Sequence, residues 1–140
     1  MTAVNDFNRS VIEEFRANDG KLSGQFQGAP LLLLTTTGAK TGRKHTVPVV
    51  YLRDGDRIFV FGSKAGAPTH PAWYHNLVAN STVTVELPGE RFAARAVVTE
   101  GEERDRLFDR QKALMPGFAD YERKTSRQIP VIALERIANE

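Results

Sequence analysis

The sequence predicts an α+β fold, a small antiparallel β-barrel of about six strands with peripheral helices. Apolar and polar residues alternate along several short segments, which is the pattern of strands with one buried face. Turn residues separate most of these segments closely enough for hairpin connections. Helical spacing occurs in the segments that flank the strands. With 140 residues there is room for one hydrophobic core, so we expect a single domain over residues 1–140.

The first quarter of the chain predicts a helix and a buried strand. The helix is expected over about residues 5–18, because four apolar residues recur at three- and four-residue steps: Val4, Phe7, Val11 and Phe15. Asn5 or Asp6 can cap its start, and Gly20 belongs to the signal that ends it. Leu31–Thr37 combines an apolar run with β-branched threonines, as in a strand buried on both faces.

A glycine-bounded loop, Gly38–His45, separates this strand from the next. Thr46–Arg53 is predicted as a strand with Val47, Val49 and Tyr51 on one face. Pro48 removes one N–H from this strand, which favours a sheet edge or a position that faces a ligand. Asp54-Gly55-Asp56 predicts a hairpin turn into a further strand, Arg57–Ser63.

A loop, Lys64–His70, precedes a short helix for which Pro71 suits the first helical position. Two strands follow, Thr82–Leu87 and the alternating segment from Phe92 to Val98, joined by a turn at Pro88-Gly89.

Two helices and a final strand are expected in the last third. Thr99 and Glu102 are spaced as a capping box that opens a helix reaching about Met115, with Leu107 and Leu114 on its apolar stripe. The remaining elements are a short helix at Phe118–Lys124 and a strand at Pro130–Leu134.

The small positive charge of the chain is concentrated in one loop. Lys and Arg number 19 against 17 Asp and Glu, a formal charge of +2. Lys40, Arg43 and Lys44 supply three of these charges, and without them the balance is 16 minus 17, or −1. Such a loop suits a local anionic partner, although a solvated turn would have the same composition. The distribution argues against a broad nucleic-acid-binding face.

Several function classes lack their signatures. The absence of Cys excludes disulfides, thiolate catalysis and Cys-based zinc sites. Gly38 and Gly42 are four apart, too close for a nucleotide-triphosphate loop, and no G-x-G-x-x-G occurs. Ser63 is not in a G-x-S-x-G turn, and His70 and His75 are not spaced to share a metal, so no metal site is predicted. No secretory signal or membrane-spanning run is present, so we expect a cytoplasmic protein.

Three segments carry a family resemblance from about Phe7 to Leu134. They are LLLLTTTGAKTGRKHTVPVVYLRDGD, SKAGAPTHPAWYHNLVANSTVTVEL and PGFADYERKTSRQIPVIAL. Together they resemble the deazaflavin-dependent nitroreductases of actinobacteria. The resemblance implies a split β-barrel related to FMN-binding oxidoreductases. It also implies coenzyme F-420, a deazaflavin with a tricyclic ring, a phospholactyl group and an oligoglutamate tail.

The resemblance also implies which residues form the site. The implied cofactor-binding residues are Ala39, Lys40, Thr41, Arg43, His45, Thr46, Val47, Pro48, Val49, Val50, Phe61, Gly62, Ser63, Lys64, Ala72, Trp73, Tyr74, His75 and Asn76. Ser63 and Tyr121 are expected on the substrate side as contacts or proton donors. The chain departs from the family where His45 replaces a usual Arg and Phe118 a usual Tyr.

The activity implied is hydride transfer from the reduced cofactor to a small electrophilic acceptor: a quinone, an enone or a nitroaromatic. No nucleic-acid partner is expected. Peripheral membrane contact through a quinone is left open, as is the choice between a monomer and a homodimer. The alternatives are an FMN-binding oxidoreductase of the same barrel class, a small nucleic-acid-binding β-barrel, and a structural role without activity.

Overall fold

The computed structural model describes residues 3–22, 30–55 and 57–137. Their strands form a closed antiparallel barrel in the order β1-β2-β3-β6-β5-β4, which confirms the expected fold class. The strands are β1 (Leu31–Thr37), β2 (Lys44–Asp54), β3 (Arg57–Phe61), β4 (Thr82–Leu87), β5 (Glu90–Val98) and β6 (Val131–Arg136). The helices are α1 (Ala3–Ala17), α2 (Ala72–Ala79), α3 (Gly101–Leu114) and α4 (Gly117–Lys124), with a short 3-10 helix at Lys64–Gly66.

The barrel interior is filled by every second side chain of its strands. The fully or nearly fully buried members are Leu32, Leu34, Ile58, Val60, Val83, Val85, Leu87, Phe92, Ala94, Ala96, Ile132 and Leu134, and Leu77 of α2 joins them. Each large apolar side chain buried in this way stabilises the fold by about 1.5–3 kcal/mol relative to an exposed one. The predicted inward face of β2 is confirmed, since Val47, Val49 and Tyr51 pack against this core.

Helices cover two parts of the outer surface of the barrel. Val11 and Phe15 of α1 pack on Leu31 and Leu33 of β1. Because the other face of β1 lies in the barrel interior, its apolar run is continuous and does not alternate. On the opposite side, α3 and α4 cover the outward residues of β3 and β6: Phe59, Phe61, Val131 and Ala133.

β2 is longer than its neighbour β3, and this difference opens the barrel at one edge. β2 pairs with β1 from Lys44 to Val50, whereas β3 pairs with β2 only from Tyr51 to Asp54. Within the described residues, the first part of β2 therefore has a strand neighbour on one side only. Pro48 lies in this part, which confirms the expectation that it occupies an edge.

The boundaries of four predicted strands were wrong: β5 begins at Glu90 and not at Phe92, β6 runs over Val131–Arg136 and not over Pro130–Leu134, and β2 and β3 differ as well. β2 begins at Lys44, so the loop that precedes it is shorter than predicted and ends at Arg43. The loop is closed by its own backbone, because the Gly38 N–H donates to the Arg43 carbonyl at 2.7 Å. β3 ends at Phe61 because the chain leaves the sheet at Gly62, whose N–H donates to the Pro130 carbonyl at 2.9 Å.

The predicted capping box of α3 was also wrong. The Thr99 hydroxyl donates to the Val131 carbonyl at 2.8 Å, so Thr99 extends the contact between β5 and β6. The residue before the helix is Glu100, which makes no side-chain cap. Leu114 is 63% exposed, and the buried residues of α3 are Arg104, Leu107, Phe108 and Gln111.

The remaining helix boundaries agree within a residue or two. Pro71 precedes the first residue of α2 and does not begin the helix itself. α1 ends at Ala17, and the Gly20 N–H donates to the Phe15 carbonyl at 2.7 Å, as expected for a glycine-terminated helix. The Asn5 and Asp6 side chains, residues 23–29 and Asp56 lie outside the described residues.

Candidate functional site

A groove of about 480 Å³ lies at the open edge of β2. Its volume is in the range of small-molecule sites, roughly 300–1,000 Å³. It is lined by Asn8, Val47, Pro48, Val49, Val50, Phe61, Ser63, Lys64, Pro71, Trp73, Met115, Phe118 and Tyr121. Its walls are formed mainly by β2, the segment from β3 to α2, and α4, with Asn8 of α1 and Met115 after α3 adding one side chain each.

The β2 wall is apolar, with one backbone donor. The Tyr51 N–H donates to the Pro30 carbonyl at 2.9 Å, so the amides of odd-numbered residues here point towards β1. Even-numbered amides then point towards the groove. At Pro48 there is no N–H to leave unpaired, whereas Val50 presents its N–H to the groove. Trp73 of α2 is half-buried beside this wall and also packs on the barrel core.

The opposite wall is aromatic. Phe118 is buried, and its ring packs edge-on against Phe61 at 5.7 Å between centroids and against Tyr121 at 5.2 Å. Gly66 supports this wall from behind, because a Cβ at its position would lie 2.9 Å from the Tyr121 carbonyl oxygen. The close packing of Gly66 fixes α4, and with it Tyr121, relative to the residues that follow β3.

One residue of α2, Asn76, joins the groove to the cationic loop, which is the loop after β1 that carries Lys40 and Arg43. Its Oδ1 accepts from the Ala39 N–H at 3.0 Å, and its Nδ2 donates to the Thr36 hydroxyl at 3.2 Å. Asn76 lies three residues after Trp73, on the same helix face. On β2, Val47 follows Lys44 at a distance of roughly 10 Å. The position of Asn76 on α2 and the short distance from Lys44 to Val47 on β2 both place the cationic loop at one end of the groove.

The cationic loop carries charges that the fold does not use. Within the part of the chain that the structure describes, the exposed side chains of Lys40 and Arg43 make no ion pair or hydrogen bond. The Lys44 ammonium donates to the Thr37 hydroxyl at 2.9 Å. Exposed His45 lies near Gly38, where a Cβ would come within 3.2 Å of the His45 Nε2. Lys40 and Arg43 are free to bind an anion.

The loop of residues 62–70 presents Ser63 and Lys64 to the groove. Lys64 has a φ of 46°, a left-handed conformation that costs free energy in a residue other than glycine. Its ammonium donates to the Thr69 hydroxyl at 3.3 Å. The carbonyl of Ser63 accepts from the half-buried Arg127 guanidinium at 2.9 Å. The Ser63 hydroxyl has no hydrogen-bond partner among the described residues, so it is available to a ligand.

The predicted site residues fall into two groups. Those that line the groove are Val47, Pro48, Val49, Val50, Phe61, Ser63, Lys64, Trp73 and Tyr121. Those that support it or lie beyond its ends are Ala39, Lys40, Thr41, Arg43, His45, Thr46, Gly62, Ala72, Tyr74, His75 and Asn76. In the second group, the hydroxyl of Thr46 bonds to that of Thr35 at 2.7 Å, and the rings of Tyr74 and His75 lie beside His70.

Five residues of the site were not among those predicted, and one of them, Phe118, was noted only as a departure from the family. Asn8 of α1, Pro71 and Met115 line the groove, and Arg127 holds the loop beside it. Pro71 stands within the HPAWYHNL segment, and Met115 precedes the break between α3 and α4, so both lay near recognised signals. Asn8 and Arg127 have no local signal, since each reaches the site through tertiary packing.

No group of three or more metal-ligating side chains occurs among residues 3–22, 30–55 and 57–137. Over the same residues, no helix has both the length and the apolar composition needed to cross a bilayer.

Known proteins with similar structures share the fold of the whole barrel. The structure of an F420-H2-dependent reductase, FDR-A, matches with a TM-score of 0.70 and 39% identity, over 76% of this chain and 94% of that one. A second solved structure, described as a domain-swapped dimer, matches with a TM-score of 0.72 and 33% identity, over 95% of this chain and all of that one.

Sequence comparison leads to the same group of proteins. The family model described as F420H(2)-dependent quinone reductase matches residues 7–136. An F420H(2)-dependent quinone reductase of Mycobacterium tuberculosis is 37% identical over 128 residues, which covers 87% of this chain and 85% of that protein. The deazaflavin-dependent resemblance noted in the sequence is confirmed, and the chain belongs to the F420H(2)-dependent quinone reductase family.

Proposed function

We propose that the groove holds the deazaflavin ring of coenzyme F-420 and that the chain uses the reduced cofactor to reduce a quinone. Family membership supports the cofactor and makes the chain an oxidoreductase. The name of the M. tuberculosis relative supports the quinone. One observation carries the assignment of the site: an apolar groove of about 480 Å³ runs along the strand that leaves the cationic loop, where Lys40 and Arg43 have no partner among the described residues.

The groove suits a flat ring. The Val47–Val50 wall and the Phe118 wall offer apolar surfaces, and Trp73 adds an aromatic one. The backbone N–H of Val50 and the hydroxyl of Ser63 can hydrogen-bond to polar atoms at the rim of the ring. A largely apolar site with a few placed polar groups is typical of cofactor binding.

The cationic loop suits the acidic part of the cofactor. Phosphate and glutamate groups are anions, and Lys40 and Arg43 have no competing partner among the described residues. The backbone N–H groups of the loop add donors that any anion with several oxygens can use. The ring and the anionic tail would therefore bind at opposite ends of one continuous surface.

Reduction of a quinone to a quinol needs one hydride and one proton. When bound, reduced coenzyme F-420 supplies the hydride, which carries both electrons. The chain orients the acceptor against the ring and excludes water from the groove. The Ser63 or Tyr121 hydroxyl, or a water molecule, supplies the proton to the quinone oxygen. No covalent nucleophile is required.

The location of the protein and its assembly remain predictions. A lipid-soluble quinone would approach the Met115 side of the groove, where the neighbouring residue Leu114 is 63% exposed. Peripheral membrane contact through the quinone is consistent with this exposure, and a cytoplasmic location is expected. A homodimer is supported by the similar solved structure that is described as a domain-swapped dimer, and a monomer is the alternative.

Titration of the protein with coenzyme F-420, followed by the fluorescence of the cofactor, tests the assignment. Replacing both Lys40 and Arg43 by Ala should weaken binding by about tenfold to a hundredfold, because charge-assisted hydrogen bonds are lost. The variant should also show less weakening by added salt than the wild type. Its thermal stability should stay near that of the wild type, since both side chains are exposed.

Arg91→Ala with Arg95→Ala is the matched control, because it removes two exposed charges from β5, on the opposite side of the barrel from β2. The control should bind like the wild type. Equal affinity of the wild type and the Lys40/Arg43 variant would refute the loop assignment. A yellow purified protein with a flavin spectrum and no affinity for coenzyme F-420 would favour FMN instead.

A further inference from the structure

Arg127 holds the loop of residues 62–70 through its backbone. Its guanidinium donates to the carbonyls of Gly62 at 3.0 Å, Ser63 at 2.9 Å and Ala67 at 3.0 Å. All three acceptors belong to the loop that presents Ser63 and Lys64 to the groove. Arg127 itself does not line the groove, so it can act on a ligand only through this loop.

Arg127 also ties the loop to α4. It lies three residues after Lys124, the last residue of the helix that carries Tyr121. Gly66 of the loop makes the other contact, because its Cα packs against the Tyr121 backbone. The guanidinium and this glycine contact together fix the distance between the Ser63 wall and the Tyr121 wall.

The remaining guanidinium contact makes the arrangement sensitive to protonation. Arg127 Nη1 lies 3.0 Å from His70 Nδ1. A guanidinium has donors only, so His70 Nδ1 must be the acceptor and its ring must be neutral, with the proton on Nε2. A protonated His70 would turn a donor and a positive charge towards Arg127. The hydrogen bond would then be lost.

Groups from α2 and from the start of α3 also face His70. From α2, the Tyr74 ring lies 4.6 Å and the His75 ring 5.8 Å from the His70 ring. Glu100 and Arg104 line the same cavity from the start of α3. Burial, followed by the positive charges of Arg127 and His75, holds the pKa of His70 below its ordinary value.

We propose that Arg127 is a positioning residue of the cofactor site and that it holds the loop in its binding conformation only while His70 is neutral. This inference rests on the proposed function. Neither residue lines the groove itself, and neither carried any expectation of cofactor binding from the sequence.

The direction of the pH dependence follows from the depressed pKa. The ordinary pKa of histidine is about 6.5, and the folded value is lower. The contribution of neutral His70 to holding the loop of residues 62–70 is therefore complete above about pH 6.5. It is lost as the pH falls through the pKa of His70 in the folded protein. Cofactor affinity should fall with it. Protonation of His45 in the cationic loop would have the opposite effect, because it adds a charge that attracts the anionic tail.

His70→Asn separates these effects, because the Asn Oδ1 stands near the position of the His Nδ1 and accepts without titrating. Coenzyme F-420 affinity is measured for the wild type and His70→Asn from pH 8 to pH 5. The dissociation constant of the wild type divided by that of His70→Asn should rise by about tenfold on acidification. This factor corresponds to the loss of one hydrogen bond to a charged group. A ratio that stays constant with pH would overturn the proposal.

His75→Asn is the comparison variant, since His75 is exposed and its ring makes no hydrogen bond to Arg127. Whatever its affinity at pH 8, it should lose affinity on acidification by the same factor as the wild type, but at slightly higher pH, because the charge of His75 no longer lowers the pKa of His70. Arg127→Lys retains the charge but not the three carbonyl contacts, so it should bind the cofactor about tenfold more weakly at pH 8. Its affinity should change with pH in the same way as that of His70→Asn, without the loss that the wild type shows. An Arg127→Lys variant with the full wild-type profile would also overturn the proposal.

A measurement without cofactor distinguishes this proposal from the proposed function. The chain has three histidines, so NMR titration of the imidazole signals can be assigned with the two His→Asn variants. The pKa of His70 should rise towards its ordinary value in Arg127→Lys. An unchanged pKa would overturn the contact on which the proposal depends. If the pKa of His70 rises in Arg127→Lys but the wild type binds no coenzyme F-420, the contact is supported and the proposed function is refuted.

Discussion

The two sides of the barrel differ in how completely their strands are paired. β4 and β5 pair residue by residue from Thr82 with Arg95 to Leu87 with Glu90, and every inward side chain of β4 is buried. β2, across the barrel, extends beyond β3, and its residues 46–50 are all half-buried. The paired side is a closed packing unit. The open side leaves backbone and apolar surface for a ligand.

This difference shows how one short strand creates a site. β3 has five residues and β2 has eleven, so the free part of β2 follows from strand length alone. The chain then covers the gap with parts that are not strands: the 62–70 loop, α2 and α4. These parts are joined by side-chain hydrogen bonds and by the close contact of Gly66 with α4. Substitutions that alter these contacts leave the barrel core unchanged.

The largest expected effect compares the same substitution on the two sides. Val85→Ala removes a fully buried side chain from β4 and should lower the free energy of unfolding by about 2–3 kcal/mol. Val47→Ala, on half-buried β2, should cost about 1 kcal/mol or less but weaken coenzyme F-420 binding. Denaturant unfolding and cofactor titration of both variants measure these effects. If Val85→Ala impaired binding more than Val47→Ala, the two sides would not be functionally distinct.

A smaller effect is expected at the glycine that supports the open side. Gly66 has a φ of 82°, and an added Cβ would lie 2.9 Å from both the Tyr121 carbonyl oxygen and the Lys124 Cβ. Gly66→Ala should therefore destabilise by about 2 kcal/mol and displace Tyr121 from the groove. Gly55→Ala is the control, since Gly55 has a φ of 64° with open space around it.

Gly55→Ala carries only the backbone cost of about 1 kcal/mol, and cofactor binding should not change. Thermal unfolding and coenzyme F-420 titration give both quantities. Equal losses of stability in the two variants, with unchanged binding in Gly66→Ala, would mean that the contact with α4 does not shape the groove.

The sequence predicted the paired side better than the open side. β4 and β5 alternate and are joined by a local turn, so their pattern determines both the pairing and the buried face. The extra length of β2 could not be predicted, because Lys44 and His45 look like loop residues and enter the strand only by pairing with Thr37 and Thr36. The local pattern also misled at Thr99, whose hydroxyl bonds to a strand far along the chain.

The site was predicted where a motif carried it and missed where contacts were distant. Trp73 and Asn76 lie within one recognised segment. The structure places Trp73 in the groove and hydrogen-bonds Asn76 to Ala39 of the cationic loop. Arg127 reaches Ser63 across 64 positions of sequence, so no local spacing could have indicated its role. Such contacts become visible only when the barrel brings β3 and the segment after α4 together.

The most direct test of the central claim uses the single tryptophan of the chain. Trp73 lines the groove, so its emission reports on that site alone. Binding of coenzyme F-420 should quench this emission saturably, with the same dissociation constant as the change in cofactor fluorescence. In the variant with Lys40 and Arg43 replaced by Ala, the quenching of Trp73 emission should require a higher concentration of coenzyme F-420. Cofactor binding that leaves Trp73 emission unchanged would contradict the account, because the ring would then lie elsewhere on the protein.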